Sequence, residues 1–265
     1  MKIQHIISTM NRKDFSFLES LCLKTDALVV NQNCPENKTD IVLSNNVNVR
    51  VISTPEKGLS RSRNMLINNA EGEILVIGDD DVEYLDGYYE AIENAYNKYP
   101  DADIIVFRFT HKRGKETRTR YMHDIKMNMM NISKAASVEI SFRRQSILDA
   151  GVRFNNNIGL GTDFPTGEEN AFLADALRAG LKIYHVPKTI CVAQEAERLT
   201  ETYNISDYIM DKGASYHCIY KKMFPLYSIA FIILKKKSIF KDVSIIKALS
   251  LMCKGKKKYK ETTKE

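Results

Sequence analysis

Residues 73–81 read Glu-Ile-Leu-Val-Ile-Gly-Asp-Asp-Asp. The apolar run from Ile74 to Ile77 contains three β-branched side chains, which is typical of a strand buried on both faces. Three carboxylates follow at once, at the strand end where ligands bind in open α/β sheets. Carboxylates this close repel one another unless a cation lies among them, and their oxygens suit Mg²⁺ or Mn²⁺. The stretch therefore predicts a metal–nucleotide site, and the alternative is a solvated acidic turn before the next helix.

Segments with strand and helix patterns alternate around this stretch. The pattern predicts strands at 3–8, 27–30, 47–52, 74–77, 104–109, 138–142 and 181–186, the last of them ended by Pro187. It predicts helices at 13–23, 59–70, 88–99 and 168–179. Strands separated by helices of this length indicate an α/β fold with a mostly parallel, doubly wound sheet.

The charge of the chain is distributed unevenly. Residues 221–265 carry 13 Lys and 3 acidic residues, a net charge of +10, which leaves 26 basic and 30 acidic side chains, a net charge of −4, for the other 220 residues. The five cysteines are odd in number and show no paired CxxC spacing, which argues against a disulfide framework or a zinc site and for a reducing compartment. The apolar stretch at the N-terminus is too short for a signal peptide.

The basic C-terminal segment has its own apolar pattern. Residues 223–234 form an apolar run of 12 residues, too short to span a bilayer, and the apolar residues of 239–252 follow at roughly helical spacing between lysines. This pattern predicts a pair of helices that binds an anionic membrane surface through residues 221–260. The alternative is a helix pair packed on the body with solvated lysines. No nucleic-acid partner is expected, because arginines and interleaved aromatic residues are lacking.

Four motifs together resemble a known family. They are Ile-Ile-Ser-Thr-Met-Asn-Arg at 6–12, Gly-Leu-Ser-Arg-Ser-Arg-Asn at 58–64, the three aspartates at 79–81 and Gly-Glu-Glu-Asn at 167–170. In this order they resemble the opening strand, the Gly-x-x-x-Ala-Arg-Asn helix start, the Asp-x-Asp motif and the base-carrying element of inverting, nucleotide-sugar-dependent glycosyltransferases of family two. The resemblance covers residues 1 to about 190. It implies a Rossmann-like GT-A catalytic domain at 1–200, with a nucleotide-sugar-binding half (1–110) and an acceptor-binding half (111–200), followed by a helical membrane-association region at 201–265.

The resemblance also implies roles for the matching residues. Asp81 and Asp79 are the expected ligands of Mn²⁺ or Mg²⁺, with Asp79 toward the ribose and Asp80 supporting or replacing one of them. Glu169 is the expected general base and Glu168 its alternate, against the simpler explanation that both are helix N-terminal acids favoured by the macrodipole. The expected donor-binding residues are Ser8, Thr9, Asn11, Arg12, Gln32, Arg61, Arg63, Asp79 and Asp80.

The chain departs from the family pattern at three places. Asn31-Gln32-Asn33-Cys34 stands where the family usually has Asp-Asp-Gly-Ser; because the Gln32 amide is both donor and acceptor, a UDP-sugar stays the expected donor. The histidine that often completes the metal shell is absent from residues 188–197, and His185 fits a packed core residue. The Gln-x-x-Arg-Trp pattern of processive synthases is missing, which predicts transfer of a single sugar.

These features predict an inverting enzyme that moves one sugar to a saccharide acceptor, expected to be lipid-linked, in bacterial-type surface polysaccharide (capsule, O-antigen or exopolysaccharide) biosynthesis. It would be cytoplasmic and peripheral on the inner face of the cell membrane. One alternative is a nucleotidyltransferase that forms an activated sugar, although residues 8–14 lack the Gly-rich phosphate loop expected of that class. Another is a catalytically silent, membrane-bound scaffold. The basic residues Arg113, Lys115, Arg118 and Arg120 indicate either a loop over the site or a solvated surface.

Overall fold

The computed structural model describes residues 1–111, 121–193 and 204–264. In these ranges ten strands form one sheet in the order β3-β4-β2-β1-β5-β9-β7-β10-β6, and β8 pairs with β10. The strands are β1 (Ile3–Met10), β2 (Ala27–Gln32), β3 (Asn37–Val42), β4 (Asn48–Thr54), β5 (Ile74–Asp79), β6 (Val82–Tyr84), β7 (Ile104–His111), β8 (Ile125–Lys126), β9 (Ile140–Arg143) and β10 (Ile183–Ala193). Strands β1, β2, β4, β5, β7 and β10 run parallel, and the antiparallel β9 lies between β5 and β7. The mostly parallel sheet is confirmed.

Eight α-helices lie in the described ranges. They are α1 (Phe17–Ser20), α2 (Leu59–Asn69), α3 (Tyr88–Lys98), α4 (Arg144–Asp149), α5 (Glu168–Arg178), α6 (Ile205–Tyr220), α7 (Phe224–Lys235) and α8 (Ile245–Thr263). Apolar cores cover both faces of the sheet. Leu75 and Ile77 of β5 pack into the core that includes α2 and α5, and Ile74 and Val76 into the core that includes α3. Burial on both faces explains why β5 is a continuous apolar run and not an alternating one.

Two sequence predictions of element ends are wrong. Strand β10 does not stop at Pro187 but runs on to Ala193, and its pairing with β7 shifts register between His185 and Thr189. A bulge of this kind accommodates proline, which has no N–H to donate to the ladder. The helix predicted at 13–23 is confined to Phe17–Ser20. The basic residues at 113, 115, 118 and 120, and part of the histidine-free segment 188–197, lie outside the described residues.

Helices α6, α7 and α8 form a C-terminal helical unit. A Cβ atom added at Gly213 of α6 would lie 2.1 Å from the carbonyl oxygen of Met252, and one added at Gly255 of α8 would lie 1.8 Å from that of Met210. The backbones of α6 and α8 therefore touch where each has a glycine. No helix within the described ranges is both long and apolar enough to cross a membrane.

Candidate active site

The carboxyl ends of three neighbouring parallel strands bring the predicted donor-binding residues together. In the pairing of β1 with β5, Ser8 lies beside Asp79, and in the pairing of β1 with β2, Met10 lies beside Gln32. Side chains that are 22 to 71 residues apart in sequence thus meet at one edge of the sheet. This edge is the position at which ligands bind in open α/β sheets.

Arg63 of α2 is the buried centre of this edge. Only 1% of its side chain is exposed; its Nη1 donates to Oε1 of Glu168 at 3.0 Å and its Nη2 to Oδ1 of Asp79 at 3.3 Å. The guanidinium also lies over the Phe154 ring, 5.4 Å from its centre. Ser137 donates to the other oxygen of Asp79 at 3.2 Å. Arg63 therefore joins two of the four motifs, the three aspartates and the Glu-Glu pair, through one cation.

Asp80 is held by the turn that follows β1. Arg12 donates to Oδ2 of Asp80 from Nη2 at 2.9 Å, and the Thr9 hydroxyl donates to the same oxygen at 2.5 Å. Arg12 in turn lies over the Phe17 ring at 4.8 Å, and its backbone exchanges two hydrogen bonds with the Asn31 side chain. Asp80 thus supports the turn of the first motif.

Asp81 differs from its two neighbours. Its side chain is exposed, and it has no ion-pair partner in the described part of the chain. Neighbouring protein atoms still displace part of the water around its carboxyl group, and this desolvation, together with the negative charges of Asp79 and Asp80, raises its pKa. No three His, Cys, Asp or Glu side chains among the described residues converge as a complete metal site. An oxygen donor with unbalanced negative charge nevertheless fits Mg²⁺ or Mn²⁺, which usually take one or two carboxylates and complete their shell with water and substrate phosphates.

The other expected donor-binding residues differ in their exposure and in their hydrogen bonds. Ser8 accepts a hydrogen bond from Ser62 at 2.8 Å, and Gln32 accepts one from the Gly58 N–H at 2.8 Å with its Oε1. Part of the acceptor capacity of Gln32 is thus used to hold the start of α2. Asn11 has a positive φ of 60° and accepts from Asn33 in the exposed turn after β1. Arg61 is exposed on the first turn of α2.

The loop at 151–167 is anchored to α2. The Asn64 side chain exchanges two hydrogen bonds, both of 2.8 Å, with the backbone N–H and carbonyl of Phe154. The Leu59 N–H donates to the carbonyl of Leu160 at 2.9 Å. A Cβ atom at Gly161, whose φ is 87°, would lie 3.2 Å from the Cα of Gly58, so the backbones approach closely here. This loop therefore fixes both α2 with Arg63 and the start of α5.

Glu169 lines a cavity of 390 Å³. The cavity is lined by residues of β7, β10, the 127–139 segment, α5 and α6, among them Arg108, His111, Lys134, Glu139, Asn170, His185 and Lys212. Burial, together with the charge of Glu168, raises the pKa of the Glu169 carboxyl to about 8. Burial also lowers the pKa of His185, which is buried but faces the cavity and not a closed core.

The structure separates the two glutamates that the sequence left as alternatives. Glu168 is buried and bound to Arg63, whereas Glu169 faces the cavity. Sequence reasoning missed Ser137, which donates to Asp79, and Lys212, which lines the same cavity as Glu169. Neither residue belongs to a local motif, so only the tertiary contacts identify them.

Comparisons with known proteins concern the family and the fold of the chain. A family model, Glycosyl transferase family 2, matches residues 15–157. Among solved structures, residues 1–349 of S. aureus TarS in complex with UDP-GlcNAc match with a TM-score of 0.64 and 16% identity, over 91% of this chain and 74% of that chain. The same protein in complex with UDP matches with a TM-score of 0.63 and 15% identity, over 96% of this chain and 81% of that chain. At these identities the likeness shows the fold.

A search of curated proteins gives no match. The family model covers more than half of the chain and includes Arg63 and the three aspartates at the end of β5. The nucleotidyltransferase alternative receives no support from these comparisons. The protein belongs to glycosyl transferase family 2.

Proposed function

We propose that the protein moves a single sugar, with inversion, from a nucleotide-sugar donor to a saccharide acceptor with the help of one Mn²⁺ or Mg²⁺ ion. The charge pattern at the end of β5 carries the proposal. Asp79 and Asp80 are each paired with an arginine, whereas Asp81 is exposed and has no ion-pair partner in the described ranges. Asp81, with Asp79 beside it, would hold the ion. When bound, such an ion neutralises the charge of the leaving diphosphate.

Glu169 is the proposed general base. Inversion needs one group that takes the proton from the acceptor hydroxyl as that hydroxyl attacks the anomeric carbon. Glu169 suits this role because it lines a cavity large enough for a saccharide unit, and because a pKa near 8 matches a base that works near neutral pH. Glu168 is the poorer candidate, since its carboxylate is held by Arg63.

A UDP-sugar is the proposed donor. The amide of Gln32 lies at the carboxyl end of β2, next to the first motif, and can still present its NH₂ group to a base edge. The complex of TarS with UDP-GlcNAc makes this nucleotide sugar the first donor to test.

We further propose that the C-terminal helical unit binds an anionic membrane, where a lipid-linked acceptor of surface polysaccharide assembly would be found. Helix α7 buries Phe224, Ser228 and Ile232 on one face. The opposite face stays apolar but exposed: Leu226 is 59%, Ile229 42%, Ile233 58% and Leu234 78% accessible, and Ile246 at the start of α8 is 83% accessible. Exposed apolar faces of this kind mark interaction sites.

Lysines next to this face support an anionic lipid surface as its partner. Lys235 and Lys237 are exposed at the end of α7, next to Leu234. Lys236 is different, because its ammonium group donates to the carbonyls of Phe240, Lys241 and Val243 and so holds the turn. An apolar stripe flanked by lysines matches a helix that lies in the headgroup region. The reducing compartment indicated by the cysteines favours the cytoplasmic side.

A thermal-shift and turnover experiment tests the donor site. UDP and UDP-GlcNAc are each added with and without Mn²⁺; a hundredfold excess over the dissociation constant stabilises the native state by about 2.7 kcal/mol. We expect a metal-dependent shift that Asp81→Ala abolishes, and release of UDP from UDP-GlcNAc that both Asp81→Ala and Glu169→Gln abolish. Binding without any turnover in the wild type, with every acceptor tried, would instead favour the scaffold.

Vesicle sedimentation tests the membrane surface. The wild type should pellet with phosphatidylglycerol-containing vesicles and not with pure phosphatidylcholine. The double variant Ile229→Glu/Ile233→Glu should stay in the supernatant, and Lys235→Ser/Lys237→Ser should weaken binding to anionic vesicles alone. Loss of a dimer in the Ile→Glu variant, with no vesicle binding by the wild type, would assign the apolar face to a second copy of the chain instead.

A further inference from the structure

The C-terminal helical unit also contacts the element that carries the proposed base. The Ser215 hydroxyl of α6 donates to the carbonyl of Thr166, two residues before α5. A Cβ atom at Gly167, the residue that precedes α5, would lie 2.9 Å from the Cβ of Ser215. Helix α6 is thus held directly against the helix start at which Glu169 lies.

Lys212 lies on the face of α6 that makes this contact. It precedes Ser215 by three residues, and residues three apart share one face of an α-helix. Lys212 lines the same 390 Å³ cavity as Glu169 and Asn170, and its Nζ lies 5.6 Å from the centre of the Tyr208 ring. The next residue, Gly213, is packed against the backbone of α8, which fixes the rotation of α6.

The charged and titratable groups around Glu169 come from every element packed there. They are Glu168 on α5, Arg63 on α2, Asp211 and Lys212 on α6, and Arg108, His111, Tyr121, Lys134, Glu139 and His185 on the cavity wall. Arg63 is paired with Asp79 and Glu168, and Lys134 is exposed over the Tyr121 ring. Of the cations that lower the pKa of Glu169, Lys212 acts more strongly than Arg63.

We propose that Lys212 is a positioning residue of the active site, whose ammonium group favours the charged, proton-accepting form of the Glu169 carboxylate. This inference rests on the proposed function of Glu169. Burial disfavours the charged forms of both Glu169 and Lys212. The attraction between their opposite charges across the cavity offsets part of this effect. The base that family 2 chemistry needs is therefore completed by a helix that lies beyond residues 15–157 matched by the family model.

A direct titration of Glu169 tests the proposal without any substrate. Protein labelled with ¹³C at the glutamate carboxyl carbons is titrated by NMR, and Glu169→Gln assigns the resonance. We expect Lys212→Met to move the Glu169 midpoint upward by about one pH unit. Lys212→Arg should keep the wild-type midpoint. Lys38→Met, on the edge strand β3 at the other end of the sheet, is the matched control and should also keep it.

An unchanged or lowered midpoint in Lys212→Met would overturn the proposal. If the melting temperature shows that Lys212→Met is poorly folded, Lys212→Gln provides the same test with a polar side chain. The pH profile of UDP release from UDP-GlcNAc with Mn²⁺ gives a second readout: the acidic limb should move upward, with about tenfold lower kcat/KM at low pH and equal rates at high pH.

A uniform loss at every pH, with a raised KM for the donor, would show that Lys212 binds substrate and would also overturn the proposal. Failure of the proposed function gives a different pattern. In that case Glu169→Gln would turn over UDP-GlcNAc like the wild type, whatever the NMR midpoints of the Lys212 variants.

Discussion

Replacing Arg63 by methionine is the sharpest test of how the site is held together. The substitution keeps an unbranched side chain of similar length but removes the cation between Glu168 and Asp79. Glu168 is 9% exposed at its side chain and would be left as a buried carboxylate without its ion-pair partner, which costs about 3–5 kcal/mol in comparable cases. The contact with Asp79 adds less, about 0–1 kcal/mol, because that carboxylate is one-third exposed.

Urea unfolding of single and double variants measures this cost. Arg63→Met should lose about 3–5 kcal/mol in the free energy of unfolding. The double variant Arg63→Met/Glu168→Gln should recover at least half of the loss, since the buried charge is then removed. Arg50→Met is the matched control: Arg50 also bridges two carboxylates, Asp40 at 3.1 Å and Glu71 at 3.3 Å, but on the surface.

The control should unfold like the wild type within error. The reasoning is refuted if Arg63→Met is as mild as Arg50→Met, or if Glu168→Gln fails to rescue it. Either result would mean that Arg63 is not the cation on which the two motifs depend.

Three further predictions concern other parts of the molecule. Gly255→Ala should lower the free energy of unfolding by about 1–3 kcal/mol, because its Cβ would meet the Met210 carbonyl; thermal unfolding measures this. Between pH 4.5 and about 8, Glu169 is protonated in the native state but ionised in the unfolded chain. The free energy of unfolding that it contributes therefore falls as the pH rises through this window. Urea unfolding at pH 5 and pH 8 should therefore show that the stability of Glu169→Gln, relative to that of the wild type, is higher at pH 8 than at pH 5. The same difference in the free energy of unfolding at both pH values would contradict the raised pKa. Asn64→Ala removes two hydrogen bonds to the backbone of Phe154 and should lower the free energy of unfolding by about 1–3 kcal/mol. Amide hydrogen exchange near Phe154 should become faster, and unchanged exchange would contradict the anchoring of the loop.

The sequence by itself determined the layers of the fold and the position of the site. Local patterns suffice for this: the apolar run of β5 requires burial on both faces, and the carboxylates after it can lie only at the end of that strand. The helices at 59–70, 88–99 and 168–179 were predicted to within a residue or so because each has an apolar stripe and a glycine or proline near its end.

Only the tertiary structure decided what depends on contacts between distant segments. The continuation of β10 beyond Pro187 depends on the neighbouring β7, which pairs on either side of the bulge. Glu168 and Glu169 are equivalent as neighbours in sequence, but one faces the buried Arg63 and the other the cavity, because successive side chains of a helix point in different directions. Lys212 joins the site because glycine contacts hold α6 between α5 and α8, and no local pattern shows that two residues 43 positions apart line one cavity.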